Sequence, residues 1–227
     1  MPHRDLRGEE IPAGKISRRV EYNAILGGSP EWMQLFGEDA TEEATSIAAG
    51  RGELELTVDK SVGGYRFPAF DPTAFREIRV GVAFHDGLSE PNTVSIGFVD
   101  QHGTEPNNAM LLQQASSRSE LSPAKIVRIE ETEREEHDEI GSFVGALERA
   151  DADPDVCAWV EVRIRPFQRG EIVMFGGAGR GDIAHEATGQ HYGISTPMYP
   201  ILSIDTRHAG TLDTVGIGKA WFELIHN

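Results

Sequence analysis

Glu53-Leu54-Glu55-Leu56-Thr57-Val58-Asp59 alternates apolar and polar side chains without a break. Leu54, Leu56 and Val58 fall on one face, and Glu53, Glu55, Thr57 and Asp59 on the other, which is the period-2 pattern of a half-buried strand. The pattern returns at Ile78, Val80, Val82 and Phe84, set against Glu77, Arg79, Gly81, Ala83 and His85, and again at Val94, Ile96 and Phe98. Between the last two lies Asp86-Gly87-Leu88-Ser89-Glu90-Pro91-Asn92, rich in turn residues. Further strands are expected at 109–115, 125–132, 156–165, 171–176, 201–205 and 220–225. Nine short strands at this spacing argue for an all-β chain, an antiparallel sandwich or barrel.

Two regions depart from that pattern. Ile140, Phe143, Val144 and Leu147 recur at i, i+3, i+4 and i+7 ahead of Pro154, so one short amphipathic helix is expected at about 138–150. The acidic run 130–139 before it reads as a solvated loop, with a calcium or partner contact as the sharper alternative. Residues 1–45 show no sustained period and carry turn signals at Ile11-Pro12-Ala13-Gly14 and Gly27-Gly28-Ser29-Pro30. They read as an N-terminal arm whose Val20, Tyr22, Trp32, Met33 and Phe36 dock it on a body spanning 46–227. No repeat or low-complexity linker divides that body.

The 227 residues carry 37 Asp or Glu and 21 Lys or Arg, a formal charge of −16. So negative a surface repels phosphate backbones, and nucleic acid is not an expected partner. Lysine occurs at 15, 60, 125 and 219, leaving 17 arginines. Abundant acid with scarce lysine suits a protein working in molar salt, where repulsion is screened within about 3 Å. No run approaches the roughly 18 apolar residues of a membrane helix, so membrane insertion is not expected. Met1-Pro2-His3-Arg4-Asp5 leads into no apolar signal core, so no export signal peptide is expected either. A lone cysteine, Cys157, reads as a small buried hydrophobe.

The familiar chemistries find no constellation. Gly176-Gly177-Ala178-Gly179-Arg180-Gly181-Asp182 lacks the closing Gly-Lys-Ser/Thr of a phosphate loop. The eight histidines show no metal-ligand spacing, and a metal site can neither be assigned nor dismissed from them. Glu53 and Glu55 emerge on one face about 6.5–7 Å apart along the backbone, comparable with paired glycosidase carboxylates. Ordinary alternation explains the same pair. Tyr192 and Tyr199, in loop-like surroundings, are the candidates for stacking on a sugar ring.

The succession of strands is similar to a known group. Gly50-Arg51-Gly52-Glu53-Leu54-Glu55-Leu56 leads to Phe75-Arg76-Glu77-Ile78-Arg79-Val80-Gly81-Val82-Ala83-Phe84 and Val94-Ser95-Ile96-Gly97-Phe98-Val99-Asp100. Late in the chain follow Trp159-Val160-Glu161-Val162-Arg163-Ile164, Gly170-Glu171-Ile172-Val173-Met174-Phe175, Met198-Tyr199-Pro200-Ile201-Leu202-Ser203 and Ala220-Trp221-Phe222-Glu223-Leu224-Ile225. This order resembles the concanavalin A-like lectin/glucanase jelly roll, the laminin G-like group especially, over about 45–227. The glucanase motif Glu-x-Asp-x-Glu or Glu-x-Asp-x-x-Glu does not carry over: Glu55 stands where Asp belongs, and Asp59 comes too late.

What the resemblance implies is an antiparallel jelly-roll sandwich used as a surface module. The leading expectation is a non-enzymatic structural protein, a homo-oligomer meeting other structural proteins on a virion assembled in a host cytoplasm, with no cofactor. A lectin-like module meeting cell-surface glycan is the alternative, and a glycoside hydrolase using Glu53 and Glu55 the third.

Overall fold

The computed structural model describes residues 17–24, 27–47, 51–86, 92–100, 106–116, 125–131, 133–139, 158–165, 171–178, 186–187 and 197–226. Their strands, in chain order, are β1 (Ser17–Asn23), β2 (Gln34–Phe36), β3 (Ala40–Ile47), β4 (Arg51–Asp59), β5 (Val62–Arg66), β6 (Glu77–Asp86), β7 (Asn92–Val99) and β8 (Ala109–Ser116). There follow β9 (Lys125–Glu130), β10 (Glu133–Glu139), β11 (Ala158–Arg165), β12 (Glu171–Ala178), β13 (Glu186–Ala187), β14 (Tyr199–Asp205) and β15 (Leu212–Ile225). A 3-10 turn at Pro72–Ala74 joins β5 to β6.

Two antiparallel sheets form. Sheet 1 runs β13-β12-β11-β6-β15-β4-β3, with β1 also paired to β15, and sheet 2 runs β10-β9-β8-β7-β14-β5-β2. The chain changes sheet at β1 to β2, β2 to β3, β4 to β5, β5 to β6, β6 to β7, β10 to β11, β13 to β14 and β14 to β15, so neither sheet is built from one continuous meander. Of the sandwich or barrel that the alternation allowed, the sandwich is formed, and it is the antiparallel jelly roll that the resemblance implies.

The 14-residue β15 organises sheet 1. One edge pairs with β4 through 212–217 and with β1 through 219–225, while the other pairs with β6 through 216–225. A bulge at 216–219 lets one strand serve both partners. Inward positions of the two sheets close the core: Leu54, Leu56 and Val58, Ile78 and Val80, Val94, Ile96 and Phe98, Leu202 and Ile204 are each at most 2% exposed. An aromatic chain crosses it, with centroid spacings of 5.8 Å for Trp32–Phe67, 6.5 Å for Phe67–Phe222, 5.8 Å for Phe222–Phe70 and 5.7 Å for Phe70–Phe98.

The acidic stretch differs from the expected loop. Lys125–Glu130 and Glu133–Glu139 form a hairpin at the edge of sheet 2, because Arg134 and Lys125 share the outer face with Glu136 and pair with it at 2.9 and 3.0 Å. Charges on an edge strand also discourage a further strand from adding there. The helix expected at 138–150 therefore cannot begin where the period placed it: Asp138 and Glu139 belong to β10. Residues 140–150 lie outside the described residues.

The segment read as an arm, 1–45, supplies β1 to sheet 1, β2 to sheet 2 and most of β3 to sheet 1. Glu42 of β3 gathers this region: it accepts Tyr65 Oη–H at 2.7 Å and Ser29 Oγ–H at 2.8 Å, while Tyr22 Oη donates to the Gly27 carbonyl. Burial, and then the Glu42 charge, push the Tyr22 phenol up to about 12. Burial and the Glu42 hydrogen bond raise Tyr65 as well.

The outward face of sheet 1 is a lattice of ion pairs. Arg19, Glu223, Arg79 and Arg163 stand in one cross-strand row, and Glu21, Trp221, Gly81 and Glu161 in the next. Arg79 pairs with Glu77 and, at 3.1 Å, with Glu223; Arg163 Nε donates to Glu161 at 2.5 Å. Trp221 Nε1 donates to the other Glu161 oxygen at 2.7 Å. Glycine at 81 is required because the Trp221 indole lies where a β-carbon would stand.

Two outcomes follow from these contacts. Gly81→Ala should displace the indole, red-shift tryptophan emission and cost about 1–3 kcal/mol in a denaturant titration. Both tyrosines have folded pKa values above the unfolded value near 10, so their stabilisation is complete below pH 10 and declines as pH rises above it, the Tyr22 share being lost as pH climbs through 12. Alkaline melting curves should therefore fall steeply from pH 10, and more shallowly in Tyr22→Phe; an unchanged slope in that variant would contradict the assignment.

Candidate functional site

An open cleft of about 470 Å³ lies on the β2 side of sheet 2, lined by Glu31, Trp32, Gln34, Arg66, Phe67, Pro68, Ala69 and Tyr199. Its walls come from three adjacent strands. Gln34 of β2, Arg66 of β5 and Ile201 of β14 occupy one register row, and Tyr199 lies two residues before Ile201 on the same face. Residues 31–32 enter from the turn before β2, closed by Met33 N–H donating to the Pro30 carbonyl at 2.8 Å.

The aromatic members are anchored. Trp32 packs on Phe67 and through it on the interlayer core. Tyr199 rests against a second apolar cluster on the outer face of sheet 2, made by Val99, Ala109, Leu111, Val127 and Ile201. The Arg66 guanidinium lies 5.5 Å from the Tyr199 ring centre, and Arg66 Nη2–H donates to the Gln34 side-chain carbonyl. A cation over an aromatic face and a hydrogen bond to a neighbour hold a long side chain in place before any ligand arrives. Among the described residues of the lining Arg66 and Glu31 contribute opposite charges that cancel, although the chain carries −16.

Such a lining offers apolar ring faces beside amide, guanidinium and carboxylate groups. A sugar ring presents the complementary set, C–H faces and hydroxyl edges. Of the residues singled out from sequence, Tyr199 lines the cleft, whereas Tyr192 lies outside the described residues. Trp32, read as a docking residue of the arm, is a wall of the cleft. Arg66, Gln34 and Glu31 escaped the sequence reading because the site joins segments near 31, 66 and 199 that no local spacing connects.

The proposed carboxylate pair sits elsewhere. Glu53 and Glu55 project from β4 on the outward face of sheet 1, half-buried, with the Glu53 carboxylate over Gly216. Glu55 stands opposite Glu43 of β3. In the acidic hairpin, hydrogen bonds from Lys125 and then Arg134 lower the Glu136 carboxyl. Among the described residues no group of three or more His, Cys, Asp or Glu is placed to hold a metal, and no helix is long and apolar enough to cross a membrane. Cys157 and residues 179–182 lie outside the described residues.

No protein-family model and no curated protein sequence matches the chain. Solved structures do. A protein of unknown function from Shewanella oneidensis MR-1 superposes with a TM-score of 0.58 at 9% identity, covering 92% of this chain and 87% of that one. The lectin UEA-II, solved in complex with galactose, gives 0.53 at 8% identity over 92% and 99% of the two chains. A prokaryotic β-1,3-1,4-glucanase (lichenase) derived from a mouse hindgut metagenome gives 0.50 at 11% identity over 90% and 98%. At such identities the likeness is one of fold, an antiparallel jelly-roll sandwich that this chain has in common with the lectin and the glucanase.

Proposed function

We propose that this chain is a lectin-like carbohydrate-binding module and that a sugar ring enters the cleft between Trp32 and Tyr199. The observation that carries the reading is the lining itself: two aromatic side chains beside Gln34, Arg66 and Glu31 in an open space large enough for a sugar residue. Stacking on the rings removes apolar C–H surface from water, and the polar groups supply orientation. The local charge balance favours a neutral saccharide over a polyanionic one. Among the described residues Glu31 is the one carboxylate in the lining, whereas glycoside hydrolysis ordinarily uses a facing pair, so binding without hydrolysis is the activity this lining favours.

A second reading concerns assembly. Among the described residues β3 closes sheet 1 with one strand neighbour, leaving the other edge of eight residues free for a second copy. That edge favours the homo-oligomeric role, on a virion or comparable surface, expected from the sequence. Light scattering in molar salt tests it: a dimer or higher species that Ala44→Lys dissociates supports it, and a monomer at high concentration removes it.

For the cleft, a glycan array in molar salt followed by calorimetry should find a neutral saccharide ligand. Tyr199→Ala should weaken it about tenfold, equivalent to 1.4 kcal/mol. Trp32→Phe should weaken it less, and Glu55→Gln should leave it unchanged. An array without a hit, or full affinity in Tyr199→Ala, would overturn the assignment.

A further inference from the structure

Of the side chains lining the sugar cleft, Gln34 and Arg66 belong to β2 and β5 and stand opposite one another in their ladder. Glu31 and Trp32 lie before that ladder, in the turn that Met33 N–H closes on the Pro30 carbonyl. Strand pairing therefore places one wall of the cleft but not the other.

The second wall is tied down at Ser29, just ahead of Glu31, by Glu42 of β3. Glu42 Oε1 accepts Ser29 Oγ–H at 2.8 Å and Ser29 N–H at 3.4 Å. The other oxygen, Oε2, accepts Tyr65 Oη–H at 2.7 Å. Tyr65 is 0% exposed and directly precedes Arg66 and Phe67, both members of the lining. One carboxylate of sheet 1 thus bonds, through separate oxygens, to the segment that bears Glu31 and Trp32 and to the strand that bears Arg66. Hydrogen bonds to a carboxylate are stronger than those between neutral groups, so both restraints are firm. Tyr22 Oη–H fixes the start of the same segment at the Gly27 carbonyl, and the two walls touch where Trp32 packs on Phe67 at 5.8 Å.

We propose that Glu42 is a positioning residue of the sugar cleft, setting the gap between the Glu31–Trp32 wall and the Arg66–Phe67 wall without touching the sugar. The inference rests on the carbohydrate reading of the cleft. Glu42 lies opposite Leu56 on the inward side of β3, behind the lining rather than in it. A wall held in place beforehand does not have to be ordered when the sugar arrives, and affinity gains accordingly.

The test reads wall position and affinity separately, on the full chain and well below the melting temperature of every variant. Acrylamide quenching of tryptophan emission needs no sugar. Glu42→Ala and Ser29→Ala should each raise it, and the rise should vanish on a Trp32→Phe background, which assigns it to Trp32 rather than Trp159 or Trp221. Ser29→Ala keeps this readout if Glu42→Ala fails to fold. Glu42→Gln should restore the unaltered value, because its amide still accepts Tyr65 Oη–H through oxygen and donates to Ser29 Oγ through nitrogen. Glu43→Gln, on the opposite face of β3, should change nothing. Calorimetry with methyl glucoside, galactoside and mannoside supplies the affinity. Glu42→Ala should weaken the hexoside that binds by about fivefold, with Glu42→Gln recovering most of the loss. Adding Ser29→Ala to Glu42→Ala should weaken it no further, since the bond is already gone. Quenching unmoved in both Glu42→Ala and Ser29→Ala, or a rise that persists on Trp32→Phe, would overturn the proposal. Binding that needs Tyr199 but not Glu42 would overturn the positioning role alone, whereas a chain that binds no hexoside overturns the carbohydrate reading and this role with it.

Discussion

The aromatic chain from Trp32 through Phe67, Phe222 and Phe70 to Phe98 is the contact on which the rest depends. It joins the turn before β2, the β5–β6 connection, the last strand of sheet 1 and the middle of sheet 2, four pieces far apart in sequence. Rings at 5.7–6.5 Å in tilted or edge-on arrangements add a directional term to burial, which sets how the two sheets lie on one another. Phe67 belongs both to this chain and to the cleft wall. The proposed sugar site is therefore carried by the core rather than by a loop, and its shape is settled when the sandwich closes.

Strands buried on one face were legible because their inward residues are long and aliphatic. The β4, β6 and β7 alternations predict their strands and which residues face the core, although in β6 and β7 the outward Glu77, Ala83, Ser95 and Val99 are buried as well. Other strands hid for separate reasons. In β5, Val62-Gly63-Gly64-Tyr65-Arg66, glycine obscures the strand, yet Gly64 is needed where the Leu202 carbonyl lies against the backbone. In β3, Glu42 accepts Tyr65 Oη–H, so a charged residue fills a position that patterning reserves for an apolar one. The β10 sequence Glu-Arg-Glu-Glu-His-Asp-Glu reads as a loop because an edge strand needs neither two ladders nor a buried face. Of the cleft, Tyr199 was legible as an aromatic near a strand end, but its partners required the pairing of β2, β5 and β14.

The negative charge also divides on inspection. Glu77, Glu161 and Glu223 are 2–5% exposed and locked to Arg79 and Arg163, so part of the acid builds the outward surface of sheet 1. Burial works against the Arg163 charge and Glu161 offsets it. Elsewhere the acid meets itself, as where Glu43 stands opposite Glu55 across β3 and β4. Like charges in register oppose pairing at low ionic strength. High salt relieves the second arrangement far more than the first, because a half-exposed pair is screened and a buried lattice is not.

The pairing of β1 with β15 has a mechanical side. Ser17 lies opposite Ile225, and the ladder runs back to Asn23 opposite Lys219. A force applied between residues 17 and 225 would meet the hydrogen bonds one pair at a time, as in opening a zip, rather than loading the whole ladder in shear. Once β1 had peeled away, β15 would still be held by β6 along its opposite edge and by β4 at its far end. The sandwich thus combines a compliant first strand with a stiff body, a pairing of properties that would let a tether yield while the cleft on the other sheet keeps its shape.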